Sequence, residues 1–457
     1  MSDPTTRQTV GRRFARGQAS LRMAVMNISP AKLLLLGYTS YILLGWALLS
    51  LPLMQAVPVA AIDNLFIATS AVSTTGLVTV DPGTSYSFAG ELVILLLIQI
   101  GGLGYMTLGT FIVLSVTDSL GRVRKEATRN VFNLPEDVRP GYFVRSVVLF
   151  TLLVETAGAL ALYPMFVAAE VPDPVWSAIF HSISAFATAG FSLNSDSFMG
   201  FRDHVGVNFV LSALSILGAM GFLIVVDVLR GLTGRTSHLG FTSKVIVRIT
   251  MLFLLVGTLL FFVIEPSVQA LPPPERLMAS FFQVMTASTT VGFNTHPIST
   301  LSFATLIVLF FLMIVGASPA GTGGGLKTTS FAALVGLVRS TLKGRDRIRF
   351  FKREIPLKRL QNAAASLSYY LVLTAVALFL LALTEADVAF EVLLFEVWSA
   401  MGTVGLSMGL TGELSDLGKI IVIVLMTAGR VGILTFGIAL AAHDESREEE
   451  KENDLVT

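Results

Sequence analysis

A four-residue phrase, Thr-x-Gly followed by an apolar residue, occurs four times in the chain, each time after a short apolar stretch. The copies are Thr74-Thr75-Gly76-Leu77, Thr188-Ala189-Gly190-Phe191, Thr290-Val291-Gly292-Phe293 and Thr403-Val404-Gly405-Leu406. Glycine accepts positive φ and lets backbone approach an ion closely, so carbonyl oxygens from four such turns could replace a cation's hydration shell. A single copy would indicate only a helix C-cap. Four copies in register predict a cation-selectivity filter, with the Thr-x-Gly residues of each copy as candidate ion-binding residues.

A glycine-rich run at residues 316–327 could act on the same ion path, because it interrupts an apolar segment at membrane depth. It contains five glycines and one proline, and helix-capable apolar sequence resumes only at Phe331. Irregular backbone at that depth is tolerated where it lines a wet cavity or is packed in protein. The run therefore predicts a gate that blocks or leaves the pore. The candidate gate residues in this run are Gly316, Gly321, Thr322, Gly323, Gly324, Gly325 and Lys327.

Two other interpretations of this run remain open. A Walker phosphate loop reads G-x-x-x-x-G-K-[ST], but Leu326 separates Gly325 from Lys327 and no soluble strand precedes the run. A plain cytoplasmic linker also fits the composition, although the strong basic cluster of the next segment begins only at Arg339. Lys327 itself is expected near the inner membrane surface or facing the cytoplasm.

Arg430 is a charge in the middle of an apolar segment, with about ten apolar residues on each side. A charge there costs several kcal/mol unless it is paired or wet, and both ends are too distant for snorkelling. The hypothesis is that Arg430 lies in the pore below the filter, where it helps to hold the run at 316–327 closed and limits cation occupancy. Glu155, a lone acid in another apolar segment, is expected to pair with a neighbouring helix.

The composition predicts that membrane-spanning helices hold these residues in place. The 457 residues are 53% apolar and 14% charged, with a mean hydropathy of +0.74, whereas an ordinary soluble domain carries roughly 25% charged residues. Cysteine is absent, which excludes disulfides, thiolate metal sites and a cysteine nucleophile. The net charge of +1 gives no global basic field for nucleic acid. The five histidines are too scattered to indicate a metal site.

Eight apolar stretches are long enough to cross a membrane. They form four consecutive pairs, and one shorter apolar stretch lies between the two members of each pair. The eight are Leu33–Leu53, Leu92–Thr117, Ser146–Ala169, Val205–Val226, Val245–Ile264, Phe303–Leu326, Leu360–Thr384 and Ile420–Ala442. The four short ones are Ile62–Val72, Val175–Ala185, Leu277–Ala287 and Val388–Ala400, whose length fits re-entrant helices. The pattern predicts an all-α membrane fold with four pseudo-fourfold repeats around one central pore. Each repeat would consist of a span, a re-entrant pore helix, a filter loop and a second span.

The basic residues are concentrated in the segments between these repeats. Of the 32 Lys and Arg residues, 27 lie in residues 1–32, 117–145, 228–248, 339–360 and the tail after 441. Basic loops mark the cytoplasmic side, so both termini are expected inside, and the short helices are expected to enter from outside and return. Acids in the outer segments would raise the cation concentration at the mouth. These acids are Asp81, Asp173, Asp196, Glu413 and Asp416.

The repeats divide the chain into six parts. These are a basic cytoplasmic segment at 1–31, repeat 1 at 32–117, repeat 2 at 140–228, repeat 3 at 244–340 with a broken inner span at 316–330, repeat 4 at 358–442, and an acidic cytoplasmic tail at 443–457. A weaker glycine-rich echo lies in the second span of each repeat. Its copies are Gly101-Gly102-Leu103-Gly104, Gly218-Ala219-Met220-Gly221, Gly316-Ala317-Ser318-Pro319 and Gly429-Arg430-Val431-Gly432.

With these motifs the chain resembles the Ktr/Trk/HKT superfamily of potassium- and sodium-translocating subunits, and it is most similar to the bacterial KtrB type. The resemblance covers roughly residues 32–442. It rests on the four filter loops, the phrase Gln99-Ile100-Gly101-Gly102-Leu103-Gly104, the run from Gly321 to Lys327, and Gly429-Arg430-Val431-Gly432. It implies potassium as the transported ion, because filter glycines line a potassium site in that family and sodium-selective plant relatives carry serine where Gly76 stands. It also implies that the run at 316–327 is an intramembrane gating loop.

The resemblance further implies a homodimer on a cytosolic ring of KtrA/TrkA-type regulatory subunits that bind ATP or ADP, in the bacterial cell (inner) membrane. The spans show no paired acids, histidine motif or usable phosphate loop, so no enzyme activity and no cofactor are expected in this chain. Nucleic acid is not an expected partner. A sodium-coupled or sodium-permeable cation symporter is the alternative function. Inverted repeats would support it, whereas these four units all begin from the same side.

Overall fold

The computed structural model describes residues 30–117, 140–232, 240–316, 318–345, 347–351 and 353–440. Within these ranges the chain forms four successive units, each with a long helix, a short helix and a second helical segment. The predicted basic segment at 1–31 lies outside the described residues except for its last two positions, and the predicted acidic tail at 443–457 lies wholly outside them.

The helices and strands follow the order of the units. Unit 1 contains α1 (Pro30–Leu49), α2 (Ala61–Ser73), α3 (Pro82–Ser85) and α4 (Phe88–Thr117). Unit 2 contains α5 (Pro140–Ala168), α6 (Pro174–Phe186), α7 (Val205–Met220) and α8 (Phe222–Leu232). Unit 3 contains α9 (Phe241–Ile264), α10 (Pro273–Thr289), α11 (Phe303–Ile314), α12 (Thr328–Thr341) and an antiparallel hairpin of β1 (Arg349–Phe350) and β2 (Arg353–Glu354). Unit 4 contains α13 (Leu357–Thr384), α14 (Phe390–Gly402), α15 (Asp416–Val431) and α16 (Ile433–Leu440).

The short helices α2, α6, α10 and α14 begin and end on local signals. Proline stands at the first positions of α6 and α10, and an acid lies in the first turn of α2 and α14 (Asp63 and Glu391). Both features favour a helix N-terminus. Each helix ends one or two residues before the threonine of a Thr-x-Gly phrase, and most side chains in its second half are buried.

The four units close into a ring in chain order. The second helix of each unit packs against the short helix of the next one: α4 against α6, α7 against α10, α11 against α14, and α15 against α2 of unit 1. The last contact includes an ion pair between Lys419 Nζ and Asp63 Oδ1 at 2.7 Å. One apolar cluster is built mainly by units 2 and 3, and another mainly by units 1 and 4. The short helices therefore lie inside, at the contacts between units.

Four of the described helices are long and apolar enough to cross a membrane, namely α1, α5, α9 and α13. A fifth crossing results if α15 and α16, which meet at 108°, count as one span. The apolar windows of α1, α5 and α13 are only 28%, 28% and 22% buried, and exposed apolar surface of this kind suits lipid. The other second helices are shorter or broken, and side chains of α4 are described only to Gly104. Eight crossings therefore stay a prediction.

The second helical segment is broken in three of the four units, whereas the sequence predicted a break only in unit 3. The predicted span Val205–Val226 is divided at Gly221, where φ is +86°. The predicted span Ile420–Ala442 is divided at Gly432, where φ is +97°, into two helices 108° apart. Glycine adopts such φ values at little cost, so one residue turns a helix that its composition marks as continuous.

Candidate functional site

Each Thr-x-Gly phrase forms the same backbone turn. The threonine φ lies between +50° and +58° and the glycine φ between +68° and +92° in all four copies. A left-handed conformation is uncommon for a β-branched residue and costs about 1–2 kcal/mol. Its recurrence at four matching positions shows that the surroundings hold these turns in place. The turns are called loops 1–4 below, at residues 74–77, 188–191, 290–293 and 403–406.

The amide groups of the loops are paired with the short helices that precede them. The N–H of the middle residue of loop 1, Thr75, donates to the carbonyl oxygen of Ser70 at 2.9 Å. The equivalent bonds in loops 2–4 measure 2.8 to 3.1 Å. In loops 1 and 4 the glycine N–H also donates to a serine hydroxyl of the same helix, Ser70 or Ser399, at 3.1 Å. These bonds tie each loop to its short helix and leave the carbonyl oxygens of the middle residues for other partners.

The four loop glycines close into a ring in which each one faces the next loop. A Cβ atom on any of them would lie under 3.0 Å from a carbonyl oxygen of that loop, a distance at which backbone would have to shift. The pairs are Gly76 with Ala189 O, Gly190 with Val291 O, Gly292 with Val404 O and Gly405 with Thr75 O. Loop 4 thus closes on loop 1, and only glycine fits at these four positions.

The four carbonyl oxygens at these contacts accept no hydrogen bond from any described residue. They belong to residues that are fully buried: Thr75, Ala189, Val291 and Val404. Buried backbone carbonyls in proteins are nearly always paired. Four unpaired oxygens at equivalent positions of one ring are the kind of ligand set that replaces the hydration shell of a monovalent cation.

The threonine hydroxyls form a second layer of oxygen atoms next to the ring. Those of Thr290 and Thr403 are buried and have no hydrogen-bond partner. Those of Thr74 and Thr188 donate to Thr322, to its carbonyl oxygen at 3.4 Å and to its hydroxyl at 3.1 Å. Each hydroxyl carries lone pairs that suit a cation, and the four threonines form a layer of oxygen atoms between the ring and the glycine-rich run.

A cavity of about 330 Å³ lies on the opposite face of the ring and is lined by all four glycines and by residues that follow them in the chain. Two of the predicted outer acids, Asp81 and Asp196, are part of its lining. Asp81 accepts hydrogen bonds from Gly83 N at 3.0 Å and from the Ser195 hydroxyl. Carboxylates at such an entrance attract cations. The other three predicted acids, Asp173, Glu413 and Asp416, do not line this cavity.

The glycine-rich run between α11 and α12 touches all four loops. Thr322 reaches loops 1 and 2 through the two threonine hydrogen bonds described above. A Cβ on Gly316 would lie 3.1 Å from the Thr290 methyl group of loop 3. A Cβ on Gly324 would collide with the Thr403 hydroxyl of loop 4. The run therefore lies across the threonine side of the ring, packed as closely as glycine permits.

The break at Gly221 in unit 2 provides hydrogen-bond partners for this run. In a continuous helix Phe222 N would donate to Gly218 O. Instead, Gly218 O accepts from Thr322 N at 3.1 Å, and Phe222 N donates to Ala320 O at 2.9 Å. The neighbouring carbonyl oxygen of unit 2 accepts from Ser318 N at 3.0 Å. The exchanged partners keep the backbone satisfied at the break, and they explain why α7 ends there.

Arg430 connects the run to unit 1. Its side chain is buried, and its guanidinium donates to Thr322 O and, at 2.5 Å, to Gly101 O. It lies in the last turn of α15, where the helix dipole favours a positive charge. Among the described residues it forms no ion pair, so backbone carbonyls and the dipole compensate its charge. The structure thus brings Arg430 and Thr322 together, next to the ring.

Lys327 and Glu155 both have partners within the fold. Lys327 is half-buried, and its ammonium donates to Gly323 O at 2.6 Å, so the side chain folds back on the run. Glu155 is buried and accepts a hydrogen bond from Gln99 Nε2 of α4 at 3.1 Å. The pairing of Glu155 with a neighbouring helix, which the sequence predicted, is present.

The echo glycines have a shared role that sequence reasoning did not identify. A Cβ on Gly101, Gly218 or Gly429 would collide with a carbonyl oxygen at the end of a short helix. In each case the residue that carries this oxygen lies four positions before a ring glycine. The colliding oxygens belong to Val72, Phe186 and Met401. Glycine therefore lets the second helix of units 1, 2 and 4 approach the loop. The recurrence of the echo 24 to 28 residues after each ring glycine was the available signal.

The outer segment of unit 3 contains a buried acid and a histidine outside the spans. Glu265 accepts hydrogen bonds from the N–H groups of Ser267 and Ser302, each at 3.0 Å. Burial acts to raise the pKa of the Glu265 carboxyl, but the hydrogen bonds outweigh it and hold this pKa below its ordinary value. His296 Nε2 lies 2.8 Å from the Ser267 hydroxyl, and burial lowers the pKa of its imidazole.

Comparison with known proteins finds similarity along most of the chain. Residues 41–451 match a family described as TrkH, cation transport protein. The chain is 35% identical over 430 residues to the Ktr system potassium uptake protein B of Bacillus subtilis, covering 92% of this chain and 95% of the relative. It is 34% identical over 427 residues to the potassium/sodium uptake protein NtpJ of Enterococcus hirae, covering 91% and 93%.

A solved structure shares the fold. The crystal structure of the potassium transporter TrkH from Vibrio parahaemolyticus superposes with a TM-score of 0.70 over 89% of this chain and 84% of that one. The two sequences are 22% identical, so this likeness shows the fold alone.

Proposed function

The chain belongs to the TrkH family of cation transport proteins, and we propose that it takes up potassium across the cell membrane through the ring formed by loops 1–4. The family transports cations and is not a family of enzymes. In this proposal the chain is the ion-translocating, channel-like subunit of a Ktr/Trk-type system. Ions move down their electrochemical gradient through one central path.

The observation that carries this proposal is the set of four unpaired, buried carbonyl oxygens at equivalent positions of the glycine ring. The N–H groups of the same residues donate hydrogen bonds to the short helices, so the positions of the oxygens are fixed while the oxygens themselves accept no hydrogen bond. Carbonyl oxygens arranged in this way replace the water around an ion. The acids of the entrance cavity and the negative C-terminal ends of the short helices favour a cation there.

The test is ion flux in proteoliposomes that contain the purified full chain, under an imposed potassium gradient. We expect potassium uptake that collapses the gradient without a second ion. Flux that requires a co-ion would instead support a coupled symporter, and absence of flux in the presence of the regulatory partner would reject the proposal.

Sodium permeability is the second candidate, because the Enterococcus hirae relative is named a potassium/sodium uptake protein. In this proposal Gly76 is the residue that favours potassium over sodium, because its position in the ring leaves no room for a side chain. Exchange of Gly76 for serine is expected to raise the ratio of sodium to potassium flux, because a shifted backbone changes the spacing of the oxygens. An unchanged ratio would count against the assignment of loop 1 to the filter.

We further propose that the run at 316–327 is the gate and that the structure corresponds to its closed arrangement. Support comes from its contacts with all four loops and from its hydrogen bonds with Arg430 and with the broken helix of unit 2. Opening would require the run to exchange these bonds, and the glycines give it the conformational freedom to do so.

The proposed setting is the bacterial inner membrane, with both termini cytoplasmic and with a homodimer seated on a cytosolic, nucleotide-binding regulatory ring. The Bacillus subtilis relative is named protein B of a system, which supports a chain that works with other components. Cross-linking and mass measurement of the complex purified in detergent test the dimer. A chain that stays monomeric at every concentration would contradict it.

A further inference from the structure

The residue nine positions before each ring glycine is fully buried in all four short helices, yet its chemistry differs among the units. Unit 1 has Ile67, whereas units 2, 3 and 4 have His181, Gln283 and Glu396, and all four are 0% exposed. Polar side chains are costly to bury without hydrogen-bond partners. Three polar residues at one register position therefore indicate a common structural task.

In unit 2 the task is visible in the bonds of His181. Leu193 N donates to His181 Nε2 at 3.2 Å, and the Ser192 hydroxyl lies 3.1 Å from the same nitrogen. Because a backbone N–H can only donate, Nε2 is the acceptor and the proton lies on Nδ1, which donates to Ser177 O at 2.8 Å. The imidazole thus joins the short helix to the segment that leaves the ring after Gly190.

Units 3 and 4 make the same connection with other chemistry. With its amide oriented to satisfy the groups around it, Gln283 accepts hydrogen bonds from Thr295 N at 3.0 Å and His296 N at 2.9 Å. In unit 4 both oxygens of Glu396 are used: one accepts from the Ser407 hydroxyl at 2.9 Å and the other from the hydroxyl of Thr411. Each acceptor holds residues that begin two or three positions after its ring glycine.

Unit 1 lacks this connection at the same register position. Ile67 has no polar atom in its side chain, and residues 77–80 form no hydrogen bond with any described residue. The hydroxyl of Thr79 in this segment is buried and unpaired. The residues directly after Gly76 are therefore held by packing.

The first hydrogen bonds of this segment are formed by Asp81, which accepts from the Ser195 hydroxyl of unit 2, and by Tyr86, whose hydroxyl donates to Asn64 of α2 at 2.8 Å. In loops 2–4 the bonds to the short helix begin within three residues of the ring glycine.

We infer that His181, Gln283 and Glu396 are positioning residues that fix the outer ends of loops 2–4, and that loop 1 is left to adjust around the ion. The inference rests on the proposed filter function. Selectivity by backbone oxygens depends on how far the oxygens can move toward a smaller ion. Three loops fastened on both sides of their glycine resist such movement, so the three residues set the discrimination between potassium and sodium without touching either ion.

The test measures potassium and sodium uptake separately in proteoliposomes containing the full chain or one variant. Glu396→Leu removes both acceptor oxygens, and Glu396→Gln keeps one acceptor at the same position. Ile67→Leu is the matched control, because it changes the same register position in unit 1 without changing its polarity. We expect the potassium-to-sodium flux ratio to fall about tenfold in Glu396→Leu, to stay within about twofold of wild type in Glu396→Gln, and to be unchanged in Ile67→Leu.

A second variant removes the bond from the loop side, in case Glu396→Leu fails to fold. Ser407→Ala leaves the short helix intact and deletes one donor to Glu396, and we expect the flux ratio to fall several-fold, with a raised KM for potassium. A purely structural role would lower the amount of folded protein and leave the ratio and KM unchanged. An unchanged ratio in Ser407→Ala, with active wild type, would overturn the inference. Wild type that conducts no potassium would overturn the proposed function instead.

Discussion

The four loops of the ring are alike in backbone, while the four helical segments that follow them all differ. Loops 1–4 repeat the same positive φ values and the same bonds to their short helices. The segments behind them are one continuous helix, one helix broken at Gly221, two helices separated by the glycine-rich run, and one pair of helices bent by 108°. A ring of equivalent oxygens needs four matching turns. Obstruction of a single path, which we propose for the run at 316–327, needs only one element that departs from the symmetry.

The largest expected effect comes from breaking the equivalence of the loops. Gly292 has a φ of +87°, and a Cβ there would collide with Val404 O of loop 4. We expect Gly292→Ala to abolish potassium uptake, because the positive φ costs an alanine about 1 kcal/mol or more and the collision displaces a ring oxygen. Uptake by proteoliposomes measures this effect.

Gly409 offers a matched control for this variant. Its φ is +103°, but a Cβ there would meet nothing within 4 Å. Gly409→Ala should therefore carry a similar backbone strain and keep its potassium uptake. Equal loss of uptake in both variants would mean that strain, and not the ring contact, explains the result.

A second prediction concerns Arg430, which bonds the glycine-rich run of unit 3 to unit 1. Arg430→Ala removes the hydrogen bonds to Thr322 O and Gly101 O. Hydrogen bonds to charged groups contribute about 1.5–3 kcal/mol each, so we expect flux in the absence of a regulatory partner to rise about tenfold or more. Arg430→Lys keeps the charge but not the planar fork of donors and should lie between wild type and the alanine variant.

The control for Arg430 is an arginine far from the run. Arg202 forms a part-exposed ion pair with Glu275 at 2.9 Å, so Arg202→Ala should leave basal flux unchanged. Unchanged flux and gating in Arg430→Ala, together with the same result in a chain whose run at 316–327 is shortened, would remove the basis for a gate in unit 3.

A third prediction concerns the close approach of the second helix of unit 1 to the end of its short helix. A Cβ on Gly101 would collide with Val72 O, whereas a Cβ on Gly104, one turn further on, would have only an ordinary contact of 3.8 Å with the Ile100 side chain. Gly101→Ala should lower the free energy of unfolding by about 1–3 kcal/mol. Gly104→Ala should raise it by about 0.5–1 kcal/mol, since alanine is the better helix former. Thermal unfolding in detergent compares the two, and equal shifts would refute the close approach.

The smallest effect is expected at the outer segment of unit 3. The pKa of His296 is lowered from 6.5, so the folded state favours neutral imidazole, and stability falls as the pH drops below 6.5. The lowered pKa of Glu265 acts in the same direction but only below about pH 4.5, where the unfolded carboxyl takes up a proton first. Between pH 7 and 5 the melting temperature of His296→Gln should fall about 1–2 °C less than that of wild type. An identical pH profile would contradict this.

The short helices were predictable because their signals are local. The predicted stretch Ile62–Val72 differs from the helix Ala61–Ser73 by one residue at each end, and Val175–Ala185 differs from Pro174–Phe186 by the same amount. Proline or an acid at the start and a glycine turn at the end lie within one short segment. A candidate ring could be read from four repeats of this pattern, because the repetition supplies the long-range information that one copy lacks.

The break in the second helix of unit 2 was not predictable, because its cause lies in another unit. α7 ends at Met220 because groups on either side of Gly221 exchange partners with the run of unit 3. Nothing in the apolar sequence of unit 2 marks this. The partners of Arg430 belong to units 1 and 3 for the same reason. His181, Gln283 and Glu396 are an intermediate case, since their constant spacing from the glycines was visible but their bonds were not.

Closure of the last unit on the first has a consequence for biosynthesis. Loop 4 completes the ring against loop 1, and Lys419 of the last unit pairs with Asp63 of the first. A nascent chain that has not reached Phe390 therefore holds three quarters of the oxygen set, with one side open. If the ring is the filter that we propose, a selective passage forms only when translation of the final unit is complete. Premature termination upstream of that point yields a product whose ring of loops is not closed.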